Sequence, residues 1–139
     1  FAVIGGGSWA TAIVKILSNS VSSIHWWVRS AETASFINKY KHNPNYLSDV
    51  EIELEKVTVS NDLQKAIENA EVIVLAVPSA FVKSALSSVG PDAFQGKTVF
   101  SAIKGIVPDD LLIIGEQVGV VAAALQRQQH VEAGTDALR

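Results

Sequence analysis

The chain contains neither cysteine nor methionine. Without thiols it can build no disulfide framework, no thiolate metal site and no redox pair. No apolar stretch approaches the roughly 18 to 20 residues of a bilayer span, and no basic segment, apolar run and small-residue cleavage site open the chain as an export signal would. Positive charge is not in excess either. The 11 Lys and Arg stand against 14 Asp and Glu, for a formal net charge of -3. The lysines are scattered, so no basic field is available to hold a nucleic-acid backbone. His25, His42 and His130 are far apart and share no metal-ligand spacing, and no G-x-S-x-G elbow accompanies the serines. These absences describe a cytoplasmic globular protein without a metal, a membrane span or a nucleic-acid partner. Because the chain opens at Phe1, inside an apolar run, it reads as a piece of something longer.

With 139 residues, 48% of them hydrophobic and 18% charged, the chain has the size and composition of one folded domain. Its apolar pattern alternates between two periods. Phe1, Ala2, Val3 and Ile4 form a short continuous apolar run that stops at Gly5, Gly6 and Gly7, as a central strand buried on both faces does. The spacing of Ala12, Ile13, Ile16 and Leu17 predicts a helix from Ser8 to about Ser18 with those residues inward. Ile24 to Val28 reads as a second strand, and Ala31 to about Tyr40 as a helix with Ala34 and Ile37 inward. Asn43, Pro44 and Asn45 open a loop that is long for a purely structural connection. Val57 to Val59 form a strand, after which Asn61 or Asp62 caps a helix with Leu63, Ala66 and Ile67 inside. Val72 to Val77 is an uninterrupted apolar run closed by Pro78 and belongs in the middle of a sheet. Phe81, Val82, Ala85, Leu86 and Val89 mark a further helix, ended by Gly90 and Pro91, before a strand at Thr98 to Ala102. Strictly alternating strands and helices predict an α/β fold, a Rossmann-type doubly wound, mainly parallel sheet. We place the dinucleotide-binding domain at residues 1–118 and a tail of no evident periodicity at 119–139.

Gly5, Gly6, Gly7, Ser8, Trp9 and Ala10 form a G-x-G-x-x-A fingerprint between a strand and a helix, the context that gives this motif meaning. Gly5 permits the tight turn, Gly7 lets a pyrophosphate approach the backbone, and Ala10 keeps the helix close to the sheet. The free N–H groups and positive end of that helix would face the phosphates. No Walker lysine is present. Where an NAD-specific domain usually offers an acidic residue, about 20 residues past the glycines, this chain has Arg29, which can pair with a 2′-phosphate or stack beside the adenine, so that NADP is favoured or at least tolerated; a solvent-facing arginine at a strand end is the plain alternative. Pro78 and Lys104 close strands on the edge where ligands bind in such sheets; on position alone a plain strand-ending proline is nearly as good a reading of Pro78, and an ordinary surface lysine is the better reading of Lys104. Trp26 and Trp27 point to opposite faces of their strand, which suits packing better than base stacking.

Taken together, residues 5–12 (Gly-Gly-Gly-Ser-Trp-Ala-Thr-Ala), Trp27-Val28-Arg29, His42-Asn43-Pro44-Asn45-Tyr46-Leu47, Ala76-Val77-Pro78-Ser79 and Ala102-Ile103-Lys104-Gly105-Ile106 resemble the N-terminal domain of bacterial NAD(P)-dependent glycerol-3-phosphate dehydrogenase. The resemblance runs from Phe1 to about Glu116. It implies interconversion of sn-glycerol 3-phosphate and dihydroxyacetone phosphate in the cytoplasm, supplying glycerophospholipid synthesis. It further implies that Ser8 and Trp9 contact the cofactor, Arg29 its adenosine end and Tyr46 the same ligand, while Lys104 contacts both cofactor and substrate. In that family the catalytic lysine belongs to a C-terminal helical domain, which this chain lacks, so no catalytic residue and no turnover by this piece alone are expected. A homodimer of the full-length protein is the expected assembly. Two other readings remain open: a different two-domain dehydrogenase, of the phosphogluconate or pyrroline-carboxylate type, and a nucleotide-sensing module without chemistry. A substrate screen separates the first, and cofactor-dependent assembly the second.

Overall fold

The computed structural model describes residues 1–89, 92–103, 106–107 and 112–113. Strand β1 (Ala2–Ile4) leads into helix α1 (Ser8–Ser18), β2 (Ile24–Trp27), α2 (Ala31–Tyr40), β3 (Val57–Ser60), α3 (Leu63–Glu68), β4 (Val72–Leu75), α4 (Ser79–Leu86) and β5 (Thr98–Ser101). A short antiparallel pair, β6 (Ile106–Val107) and β7 (Leu112–Ile113), follows. The first five strands form one sheet in the order β3-β2-β1-β4-β5, and every neighbouring pair is parallel. The chain winds outward from β1 to β3, then returns to the other side of β1 to place β4. That reversal puts the topological switch point between β1 and β4, where ligands bind in doubly wound sheets.

Each face of the sheet has its own core. Val3, Trp26 and Val28 pack with Ala10, Val14, Ala34 and Ile37 of α1 and α2 on one face. Ala2, Ile4 and Trp27 pack with Leu63, Ile67, Val82 and Leu86 of α3 and α4 on the other. Trp26 and Trp27 thus serve opposite layers, as the period of a strand requires. Loop 41–56 also enters the core. Ile52 is fully buried, and Glu53 bridges Lys15 of α1 at 3.2 Å and Lys56 at 3.1 Å, so the loop is fastened along α1. Those two ammonium groups hold the Glu53 carboxyl below its ordinary pKa, the Lys56 hydrogen bond contributing most.

Three expectations need correcting. The buried face of α1 is Ala10, Thr11, Val14 and Ser18, whereas Ile16 is exposed and Ile13 and Leu17 only partly buried. Small residues set this face because the glycine turn delivers the helix tightly onto the sheet. The apolar stripe of the sequence lies to one side of it. Strand β4 ends at Leu75 rather than Val77: the Ala76 N–H still bonds Ile4 O at 2.8 Å, but the Ala76 carbonyl already lies against the Gly5 turn. Phe81 faces out of the core; Val82 and Leu86 carry the packing of α4, which stops at Leu86, with Val89 in the turn beyond. Gly90 and Pro91, the expected terminators, lie outside the described residues, as do Lys104 and the segment 119–139. Asp62, rather than Asn61, caps α3, its carboxylate accepting from Lys65 N.

Candidate functional site

Glycine is required at position 5 for two reasons that the backbone makes plain. Its φ of +141° is strained for an L side chain, and a Cβ there would stand 2.5 Å from the Ala76 carbonyl oxygen. The turn therefore crosses directly over the end of β4, at the switch point. Gly7 is different. Its φ is -83°, and a Cβ would meet nothing within 4 Å. Nothing in the protein's own packing asks for glycine there, and the open space in front of it is what a close-approaching ligand needs.

Gly7 is also the N-cap of α1, with no side-chain capping bond and no acidic residue in the first turn. A helix start of this kind leaves its first N–H groups and the positive end of its dipole without a partner from the protein. Two adjoining hollows meet in front of it, of about 260 and 310 Å³, sharing Gly7, Tyr46, Val77 and Pro78. The first runs toward Arg29, Ser30, Thr33 and Phe81, and the second toward Ser8, Trp9 and Ile103. No Asp or Glu lines either hollow among the described residues. The result is one groove across the C-terminal edge of the sheet, electropositive at its centre and suited to an extended, anionic molecule.

Gly5, Gly7, Ser8, Trp9, Arg29, Tyr46 and Pro78 all come together along this groove. Lys104 is the exception, lying outside the described residues. Arg29 follows β2 and sits with its guanidinium carbon 5.3 Å from the centre of the Phe81 ring, a cation–π contact that fixes the side chain at the groove's end. Phe81 was expected in the core, and its exposed ring instead forms part of the groove wall. Ser30 caps α2 by accepting from Thr33 N at 3.2 Å, and both residues line the groove beside Arg29. Their sequence signal is a serine, Ser30, directly before a helix start.

Sequence reasoning also missed Asn43 and Thr11. Both are wholly buried. The Asn43 amide donates to Gly6 O at 3.0 Å and to Thr11 Oγ1 at 2.9 Å, and its oxygen accepts from Asn45 N and Tyr46 N. The Asn-Pro-Asn-Tyr-Leu segment is therefore bolted to the glycine turn, which brings Tyr46 to the groove. Among the described residues no group of three or more His, Cys, Asp or Glu gathers as metal ligands would, and no helix is long and apolar enough to cross a membrane.

Comparison with known proteins agrees with this architecture. The family model for the NAD-dependent glycerol-3-phosphate dehydrogenase N-terminus matches residues 1–133, beyond Glu116, where the motif-based resemblance stopped. A glycerol-3-phosphate dehydrogenase [NAD(P)+] of Nitratidesulfovibrio vulgaris is 34% identical over 133 residues, covering 96% of this chain and 40% of that protein. The corresponding protein of Nocardia farcinica is 32% identical, over 99% of this chain and 42% of its own length. The chain thus spans about two fifths of these relatives. The crystal structure of a Coxiella burnetii glycerol-3-phosphate dehydrogenase shares the fold, with a TM-score of 0.75 at 21% identity over 89% of this chain and 36% of that one. Fold, groove and family match converge: the chain belongs to the N-terminal family of NAD-dependent glycerol-3-phosphate dehydrogenases.

Proposed function

We propose that this chain is the dinucleotide-binding portion of an NAD(P)-dependent sn-glycerol-3-phosphate dehydrogenase, acting in the cytoplasm on dihydroxyacetone phosphate and serving glycerophospholipid synthesis. The observation that carries the reading is the open, uncapped start of α1 behind Gly7, set at the switch point between β1 and β4. A diphosphate fits there because a Cβ at Gly7 would point into free space and no carboxylate lines the groove among the described residues. The nicotinamide, when bound, supplies the hydride exchanged with the substrate carbonyl carbon.

The chain's own residues divide the work of holding it. Gly5 keeps the turn tight against β4, and Gly7 and Ser8 offer backbone to the diphosphate. Trp9, Tyr46 and Pro78 wall the groove on the nicotinamide side. At the other end Arg29, steadied by Phe81, pairs with a 2′-phosphate, with the Ser30 and Thr33 hydroxyls beside it. This favours NADP over NAD. Lys104 is proposed to reach both cofactor and phosphorylated substrate, and no residue of this chain is assigned the catalytic proton. The proton donor is placed in a C-terminal helical domain of a homodimeric full-length protein, with residues 1–118 as the cofactor domain.

Titrating the wild-type chain and Arg29→Ala with NADPH and NADH tests the reading. Arg29→Ala is expected to weaken NADPH by roughly tenfold or more, the value of a charge-assisted phosphate contact, and NADH by much less. Equal losses would remove Arg29 from the 2′-phosphate.

A further inference from the structure

Three consecutive carbonyls in the glycine turn are each held by a donor from the protein interior. The Gly5 carbonyl accepts from Trp26 Nε1 at 2.7 Å, and the Gly6 carbonyl from Asn43 Nδ2 at 3.0 Å. The Gly7 carbonyl accepts from Thr11 N at 3.0 Å and from Thr11 Oγ1 at 2.8 Å. Every peptide bond among the described residues is trans, and in a planar trans peptide the C=O and the following N–H point in opposite directions. Tying these oxygens inward therefore turns the N–H groups of Gly6, Gly7 and Ser8 outward, toward the hollows that these same residues line.

Asn43 stands at the centre of this arrangement. It reaches two of the three peptide planes, the Gly6 carbonyl directly and the Gly7 carbonyl through the Thr11 hydroxyl, which accepts from Asn43 and donates onward. Its amide orientation is unambiguous. The oxygen faces the N–H groups of Asn45 and Tyr46, which only donate, and the nitrogen faces a carbonyl, which only accepts. It is fully buried and lines neither hollow, so it acts through the backbone.

Resting on the dinucleotide reading above, we propose that Asn43 and its Thr11 relay are positioning residues for the diphosphate: they fix the Gly6–Gly7 and Gly7–Ser8 peptide planes so that the N–H groups of Gly7 and Ser8 converge on it. The relay works before any ligand arrives, so no reorganisation is needed on binding. Any ligand carrying a diphosphate at this turn depends on it equally, whether or not it bears a 2′-phosphate.

The test compares Asn43→Asp, Thr11→Val and Thr11→Ser with the wild-type chain. Asn43→Asp keeps the acceptor toward Asn45 and Tyr46 but replaces the donor facing Gly6 O. Thr11→Val keeps the volume and removes the relay, and Thr11→Ser keeps the hydroxyl. NADPH and NADH affinities are measured for each, together with amide spectra of Gly6, Gly7 and Ser8 during titration and thermal unfolding of the free chain. Asn43→Asp and Thr11→Val are expected to weaken both ligands by the same factor, roughly tenfold to a hundredfold. Thr11→Ser should stay within about threefold of wild type, and the Gly7 and Ser8 amide shifts expected of wild type at saturating ligand should be diminished in the two impaired variants. Should Asn43→Asp not fold, the Thr11 pair decides. Wild-type affinity in Thr11→Val, or equal loss in Thr11→Val and Thr11→Ser, overturns the relay while leaving the dinucleotide reading intact. Failure of the wild-type chain to bind either dinucleotide overturns both.

Discussion

Replacing Gly5 and Gly7 by alanine, one at a time, separates the two tasks of the glycine turn. At Gly5 the new Cβ would stand 2.5 Å from the Ala76 oxygen and 2.8 Å from its carbonyl carbon, at a φ of +141°. Ala76 cannot easily step aside, because its N–H donates to Ile4 O at 2.8 Å and continues the contact between β1 and β4. Backbone strain of this kind costs about 1–3 kcal/mol. Forcing apart two packed strands adds an overpacking cost of about 1–3 kcal/mol. Gly5→Ala is therefore expected to lose about 2–6 kcal/mol, a large part of the roughly 5–15 kcal/mol that stabilises a typical domain. At Gly7 the Cβ meets nothing within 4 Å. The fold then registers only a poorer N-cap, about 1 kcal/mol, partly offset by the smaller unfolded-state entropy of alanine. The ligand, however, meets a methyl group where it needs backbone. Urea unfolding followed by tryptophan fluorescence, with NADPH titration of each folded variant, reads both effects. A Gly5→Ala chain as stable as wild type would refute the close approach of the turn to β4, and a Gly7→Ala chain with unchanged affinity would refute the phosphate turn.

Phe81→Ala, which frees Arg29 without removing it, should lower the preference for NADPH over NADH, and should do nothing further to that preference in an Arg29→Ala background. Trp26→Phe leaves the buried Gly5 carbonyl without its donor and should cost about 1–3 kcal/mol in urea unfolding; no loss would mean that the indole bond is idle. Burial holds the His25 imidazole below its ordinary pKa of 6.5. The unfolded chain therefore takes up that proton at higher pH than the folded one, and the stability His25 contributes is present above pH 6.5 and lost as pH falls through its depressed folded value. Unfolding midpoints should fall below that pH in wild type and less in His25→Gln; identical profiles would remove His25 from the acid response.

The elements that sequence revealed best are those whose signal is local. Phe1 to Ile4, the glycine turn and the aromatic β2 strand announce themselves by period, composition and placement, whereas the switch point between β1 and β4 is set only when β4 pairs with β1. The inner face of α1 was harder, because Ile16 carries a strong apolar signal while Thr11 and Ser18, which are buried, carry a polar one. What decides that face is the distance between helix and sheet, a tertiary quantity. Likewise nothing local says that Asn43 joins Gly6 and Thr11, residues more than 30 positions away, or that Phe81 leaves the core to meet Arg29. Such partners are chosen by the fold after the strands have found their order.

Dinucleotide binding at the glycine turn is the claim on which the rest depends, and fluorescence measures it directly. Trp9 is 59% exposed and lines the groove, so a reduced nicotinamide bound there should quench it. Saturable quenching of the wild-type chain by NADPH is expected, weaker by NADH, and none in a folded Gly7→Val variant. A folded wild-type chain whose emission is unchanged by either dinucleotide, or a Gly7→Val chain that responds like wild type, would contradict that claim.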